Sequence, residues 1–222
     1  MSQTVGRQPT PFYWQRIFLY FKYFFQILIN INIFSLPLIE LKGFRFRINS
    51  LYDLTVLKEV IIENCYAKHL SLSGKIIVDI GAGFGDFAIT AAKTNPASKI
   101  YAIEPDTTLR QSLKDNIQLN NIKNITVVNK FLKSFEEIGV SHINFLKIDC
   151  EGCEFHLFQK ISIKNLIKIK KIAMEFHETK ENKIEIIISK LKAAGFKYVV
   201  ESKDSKQYPG LGFLWAWQDR QH

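Results

Sequence analysis

The chain has 222 residues and a mass of 25.7 kDa, with 47% apolar and 23% charged residues. That balance excludes a disordered chain and points to one compact domain with an appendage. Three cysteines exclude a disulfide scaffold and fit a reducing compartment, while a formal net charge of +9 draws in anionic partners without choosing among phosphorylated substrates, nucleic acid and an anionic membrane.

Residues 1–45 read as an aromatic-rich N-terminal helical extension, and residues 46–222 as the main domain. Between Phe12 and Phe25, nine of fourteen residues are aromatic. Arg16 and Lys22 interrupt the apolar run and no small-residue cleavage site follows, which argues against a secretory signal. The longest uncharged stretch, between Lys22 and Glu40, holds 17 residues and includes Gln26, Asn30, Asn32, Ser35 and Pro37. A spanning helix needs ~20 mostly apolar residues. Gln15, Lys22, Gln26 and Asn30 share one narrow helical stripe. Three readings stay open for this helix: packing on the domain, peripheral membrane contact through residues 12–34, and a homodimer contact. The expected location is cytoplasmic, with the membrane periphery as the variant of that reading.

From Phe44 the pattern becomes regular. Phe44–Ile48 alternates like a strand, and Ser50 followed by Asp53 marks a helix start before Leu54–Cys65. Strands are expected at Lys75–Ile80, Lys99–Glu104, Ile125–Asn129, Ile143–Asp149, Lys170–Phe176, Tyr198–Glu201 and Gly212–Trp217. Helices are expected at Asp86–Thr94, Thr107–Asn120, Leu132–Ile138, Glu154–Gln159 and Glu181–Ala194. Strands alternating with helices predict an α/β fold with a doubly wound, Rossmann-like, mostly parallel seven-stranded sheet. Residues 202–211 are too short for a helical crossover, so the last strand should return antiparallel. Trp215 and Trp217 share one face of that strand and read as core. Lys164, Lys168, Lys170 and Lys171 read as a solvated face.

The strongest local signal is Asp79-Ile80-Gly81-Ala82-Gly83-Phe84-Gly85. An apolar strand runs into three glycines at alternate positions and then into a helix. Such a turn lets a ligand touch the backbone and offers amides to an anionic group. Its spacing differs from the dinucleotide fingerprint. Asp79 at the strand tip suits an ammonium group and would repel a pyrophosphate. The next strand ends in Ile103-Glu104-Pro105-Asp106, where Glu104 can accept both hydroxyls of a ribose. Ribose plus amino acid, joined through a sulfonium, describes S-adenosylmethionine. Taken singly, the glycines also fit a plain tight turn and Glu104 a helix cap.

After the fourth strand of this alternation the chain reads Lys147-Ile148-Asp149-Cys150-Glu151-Gly152-Cys153-Glu154, and the fifth ends in Glu175-Phe176-His177. Open parallel sheets bind ligands beyond their carboxyl strand ends, so Asp149, Glu151, Glu175 and His177 should face the cleft of Gly81–Gly85.

On Asp79–Gly85, Ile103–Asp106, Phe145–Glu154 and Glu175-x-His177, the chain resembles the FkbM family of class I S-adenosylmethionine-dependent methyltransferases, over roughly residues 45–200. That family often has Asn where Gly83 stands. The resemblance implies O-methylation of a hydroxyl on a sugar, a glycan or lipid-linked molecule, or another small molecule. It implies a cofactor-binding set of Asp79, Gly81, Ala82, Gly83, Gly85, Glu104, Pro105 and Asp149. It places Asp149 near the transferable methyl, with Glu151 and Glu154 shaping the acceptor side or the turn itself.

A hydroxyl acceptor must lose a proton. His177 is the first candidate base because its unperturbed pKa lies near neutrality, and Asp149 or Glu151 is the second. Asp149, Glu151, Glu175 and His177 have the donor types of a Mg²⁺ or Mn²⁺ site; a divalent metal is weighed but not predicted. Cys150-x-x-Cys153 is discounted as a redox or zinc element, since it lacks a second ligand pair. The charge permits an RNA methyltransferase, but the acidic run argues against a nucleic-acid partner. A non-catalytic binding protein on the same fold is the third reading.

Overall fold

The computed structural model describes residues 38–203 and 209–219. The aromatic segment 12–34, with its membrane and dimer readings, lies outside them. Leu38–Leu41 (β1) and Phe44–Arg47 (β2) form an antiparallel hairpin. Leu51–Leu57 (α1) follows behind the Ser50 cap, whose hydroxyl accepts the Asp53 amide while Asp53 reaches back to the Ser50 amide. A π-helical turn at Lys58–Ile62 and a 3₁₀ turn at Cys65–Ala67 lead into the main sheet.

That sheet contains Ile76–Ile80 (β3), Lys99–Ile103 (β4), Ile125–Val128 (β5), Phe145–Ile148 (β6), Lys171–His177 (β7), Lys197–Ser202 (β8) and Leu211–Trp217 (β9). The intervening helices are Asp86–Thr94 (α2), Thr107–Leu119 (α3), Cys153–Lys160 (α4), Ile163–Leu166 (α5) and Ile184–Ala193 (α6). Strand order is β5-β4-β3-β6-β7-β9-β8. All pairs are parallel except those of β9, which runs antiparallel to β7 and β8. The doubly wound sheet with a returning last strand is thus the architecture that the alternation predicts. The order reverses between β3 and β6, the place where open α/β sheets form a ligand crevice.

Each central strand is apolar on both faces, because helices cover both. Ile77, Phe145, Ala173 and Trp215 pack with α2 and the hairpin on one face. Val78, Leu146, Met174 and Leu214 pack with α4 and α6 on the other. Trp215 is buried and donates its indole N–H to Cys65 O at 3.0 Å, while Trp217 is half-buried.

Phe44 and Phe46 turn inward while Arg45 and Arg47 face solvent. Asn116 of α3 and Asn120 just past its end, one turn apart, then act as a substitute strand. Asn120 accepts the Arg45 amide at 3.0 Å and donates to its carbonyl at 2.6 Å. Asn116 does the same for Arg47 at 2.8 and 3.2 Å. These long-range bonds seat the hairpin on the domain.

Two expected helices are shorter than their pattern. Leu132–Ile138 reduces to a 3₁₀ turn at Phe135–Ile138, stopped by Gly139 at positive φ. The last helix starts at Ile184, because the Thr179 hydroxyl takes the amides of Glu181 and Asn182 into a turn.

Candidate functional site

The carboxyl ends of β3, β4, β6 and β7 converge at the reversal of strand order. From β3 the chain turns through Gly81–Gly85 into α2. The amides of Gly81 and Ala82 both donate to Ile103 O, at 3.1 and 3.0 Å, which pins the turn to β4. Gly81 has φ +73°, and a Cβ there would lie 1.8 Å from Asp149 O. The tips of β3 and β6 therefore touch only because residue 81 has no side chain. Gly83 differs: a Cβ on it would meet nothing nearer than Asp86 Oδ1 at 3.9 Å. Space opens above that position. Gly85, also at positive φ, ends the turn as the residue before α2.

Glu104, at the end of β4, is buried and accepts two backbone amides, from Gly83 on Oε2 and from Asp106 on Oε1, both at 2.8 Å. It therefore couples the glycine turn to the start of α3. The helix cap is Asp106, which accepts the Leu109 amide at 2.8 Å. Pro105, between them, is exposed.

In the parallel register, Asp79 stands opposite Ala102 on β4 and Lys147 on β6. Lys147 Nζ lies 2.9 Å from Asp79 Oδ1 and donates to Gly81 O at 2.6 Å. Lys147 is the cation beside Asp79, which is fully buried and, among the described residues, accepts no backbone amide. Burial pushes the Asp79 carboxyl up to about 6 against the pull of Lys147. Burial likewise pushes Asp86, the first residue of α2, up to about 7. Burial alone would lower Lys147; Asp79, Asp149 and Asp86 outweigh it and hold the ammonium above the usual lysine range.

The turn after β6 carries the acidic element. Asp149 Oδ2 accepts the Tyr66 hydroxyl at 2.7 Å and lies 4.0 Å from Lys147 Nζ. Glu151 (φ +55°) and Gly152 (φ +107°) are both left-handed, which reverses the chain and projects the Glu151 carboxylate into solvent. Glu154 is fully buried and turns back on itself, accepting the Gly152 amide at 2.9 Å and the His177 amide at 3.1 Å. His177 Nε2 lies 3.4 Å from Glu151 and 3.8 Å from Glu175, and Nδ1 lies 3.7 Å from Glu154. These are ion-pair distances, too long for hydrogen bonds. Glu154 first, then Glu151 and Glu175, push the imidazole up to about 9 against its own burial. Burial and then Asp149 push Glu175 up to about 7. Among the described residues, no group of three or more His, Cys, Asp or Glu is arranged to hold a metal ion.

Cys150 and Cys153 form a disulfide with Cα atoms 5.5 Å apart. The two left-handed residues between them fold the turn tightly enough to bring the sulfurs together.

Four residues around the site carried no role in the sequence. Lys147 opened the acidic element but was given no part of its own. Tyr66 and Asp86 gave no signal beyond their nearness to the motifs. Tyr52, 64% exposed on α1, shares the acidic rim: burial and then Glu175, Glu151 and Asp149 push its hydroxyl above the usual phenol range.

A glycine turn and two strand-tip carboxylates at the reversal of this sheet define a class I S-adenosylmethionine-dependent methyltransferase. The chain belongs to the family of the TRM5/TYW2 methyltransferase domain, whose model matches residues 40–201. Among curated proteins, ribosomal protein L11 methyltransferase of Carboxydothermus hydrogenoformans is 30% identical over 135 residues, which are 60% of this chain and 41% of that protein. The chain thus spans about two fifths of that relative's length. TYW2 of M. jannaschii, solved in complex with AdoMet, has a TM-score of 0.52 at 18% identity, covering 81% of this chain and 83% of that one. Trm5b from Pyrococcus abyssi has a TM-score of 0.52 at 16% identity, covering 81% of this chain and 54% of that one. At these identities the structures share the fold.

Two expectations fall with these findings. The FkbM resemblance is overturned by the TRM5/TYW2 match. Its most specific element, Asp149 to Glu154, is local architecture here: Glu154 closes the turn by holding two backbone amides. The exclusion of nucleic acid falls too, since TYW2 and Trm5 are tRNA methyltransferases. That exclusion treated a carboxylate rim as a phosphate-contact surface, and the two need not coincide.

The residues fit the cofactor. Asp79 is a buried carboxylate at the end of β3 that accepts no backbone amide, and a side chain on Gly83, in the turn that follows, would meet nothing nearer than 3.9 Å.

Proposed function

We propose that this chain transfers a methyl group from S-adenosylmethionine to RNA. The observation that carries the reading is the match of residues 40–201 to the TRM5/TYW2 methyltransferase domain. Three features support it. The net charge of +9 favours a polyanion. The exposed ring of Tyr52 offers a surface on which a base can stack at the mouth of the cleft. The Asp149 side chain offers acceptor oxygens to an acceptor that arrives with a base N–H or a ribose O–H.

Bound S-adenosylmethionine supplies a methyl group already activated by the sulfonium. Asp79 would hold the amino acid end at the tip of β3, and Glu104 the ribose at the tip of β4. Gly81, Ala82, Gly83 and Gly85 form the backbone cradle, with Pro105 at its outer edge. Asp149, oriented by Tyr66, accepts the acceptor's proton and aligns it; alignment of this kind can supply several kcal/mol. His177 is imidazolium at neutral pH and has no lone pair for a proton, so its part is electrostatic, holding Glu151 and Glu175 at the rim.

The test incubates the full chain with methyl-labelled S-adenosylmethionine and total cellular RNA, separated into tRNA and rRNA fractions before nucleoside analysis. Label in a base or a 2′-O-methyl nucleoside is expected. Absence of label from every RNA fraction, in protein that binds S-adenosylhomocysteine, overturns the RNA assignment.

A further inference from the structure

We propose that Lys147 is a positioning residue for the cofactor: its buried ammonium holds the Gly81 carbonyl and keeps the Asp79 carboxylate charged and aimed at the cofactor's amino group. The proposal rests on the assignment of Asp79 above. In an otherwise apolar strand, Lys147 is 2% exposed. A buried lysine that only stabilised the fold would be poorly placed, because desolvating a charge costs several kcal/mol and an apolar residue of similar volume often replaces a buried pair at no loss.

The geometry gives Lys147 a second reason. Cα partners on adjacent parallel strands point to the same face, so Asp79 and Lys147 meet side by side beneath the turn. Nζ then reaches one residue past the strand to Gly81 O. This is the glycine whose missing side chain lets β3 touch β6. One ammonium thus fixes the backbone at the start of the cradle and the carboxylate below it. Facing Lys147 are Asp79 from β3, Asp149 from the end of β6, Asp86 from α2 and the ring of Tyr66 from the 3₁₀ turn; Glu104 from β4 acts on Asp79. Asp79, Asp86 and Asp149 share this single buried cation. Removing it leaves three crowded carboxyls: Asp86 is already the weaker acid, and Asp79, with no cation left beside it, takes up a proton at a higher pH than in the wild type. A protonated Asp79 has lost the charge that an incoming ammonium needs.

Titration calorimetry of the full chain with S-adenosylhomocysteine, between pH 5.5 and 8.5, tests this. Wild-type affinity should fall as pH drops through about 6, where Asp79 protonates. Lys147→Met should bind about tenfold more weakly at pH 7, the loss that follows if Asp79 protonates about two pH units higher than in the wild type, and should recover most of it at pH 8.5. Lys147→Arg should restore most of the affinity. Lys147→Gln, which keeps a donor for Gly81 O but no charge, should follow Lys147→Met and serves if the latter does not fold. A folded Lys147→Met or Lys147→Gln with wild-type affinity and pH profile overturns the proposal, as does wild-type affinity that is flat across pH 6. Asp79→Asn separates the two assignments. Unchanged affinity in it removes Asp79 from the cofactor; a loss in it with none at Lys147 removes only the role of Lys147.

Discussion

Glu154 and His177 are bound through the backbone: the buried Glu154 carboxylate accepts the His177 amide at 3.1 Å while its other oxygen accepts the Gly152 amide at 2.9 Å. One side chain therefore ties the start of α4 to the end of β7 and closes the acidic turn between them. Glu154→Ala would leave the amides of Gly152 and His177 without this acceptor, at a cost of about 1–3 kcal/mol. Glu154→Gln keeps one acceptor oxygen and should cost about half as much. Urea unfolding measures both. An alanine variant as stable as the parent would show that water replaces the clamp.

The same carboxylate sets the charge of His177. Its folded pKa of about 9 lies above the ordinary 6.5, so the folded state holds the proton more tightly than the unfolded chain. The stabilisation is fully present below about pH 6.5 and is lost as pH rises through about 9. Thermal unfolding should show a decline across that window that His177→Gln lacks. A nuclear magnetic resonance titration of the imidazole gives the value directly, and a midpoint near 6.5 would contradict the environment described here.

What could be read from the chain follows the range of the interactions involved. The seven strands were legible because a sheet covered on both faces makes each one a short apolar run, and the glycine turn was legible because its geometry is local. The hairpin was half-legible. Phe44 to Arg47 alternates visibly, but its seat depends on Asn116 and Asn120 of a distant helix. The charge of His177 was hidden because the acids that raise it, Glu151, Glu154 and Glu175, converge only in the fold. Lys147 meets Asp79 on a neighbouring strand, across a separation that no local pattern reports. The acceptor was read from Asp149–Glu154 as a family signature, yet much of that element serves the turn. A net charge of +9 has no address in a sequence, so it could not decide for RNA.

Two of the cradle glycines should fail in different ways. Gly81→Ala places a Cβ 1.8 Å from Asp149 O, a backbone atom of the neighbouring strand end, so the strand tips must part. A loss of several kcal/mol is expected, with the cofactor site broken in whatever remains folded. Gly83→Ala meets no atom closer than 3.9 Å, and its only cost in the free protein is the left-handed backbone at φ +52°, about 1–2 kcal/mol. The added methyl instead enters the open space above the turn, with Asp86 Oδ1 at 3.9 Å as its nearest neighbour. Stability should therefore be nearly kept while affinity for S-adenosylhomocysteine falls by about tenfold or more, a loss of about 1.4 kcal/mol. Calorimetry and thermal unfolding on the same samples separate the two effects. If Gly83→Ala bound the cofactor as tightly as the parent, the space above the turn would not be where the cofactor lies.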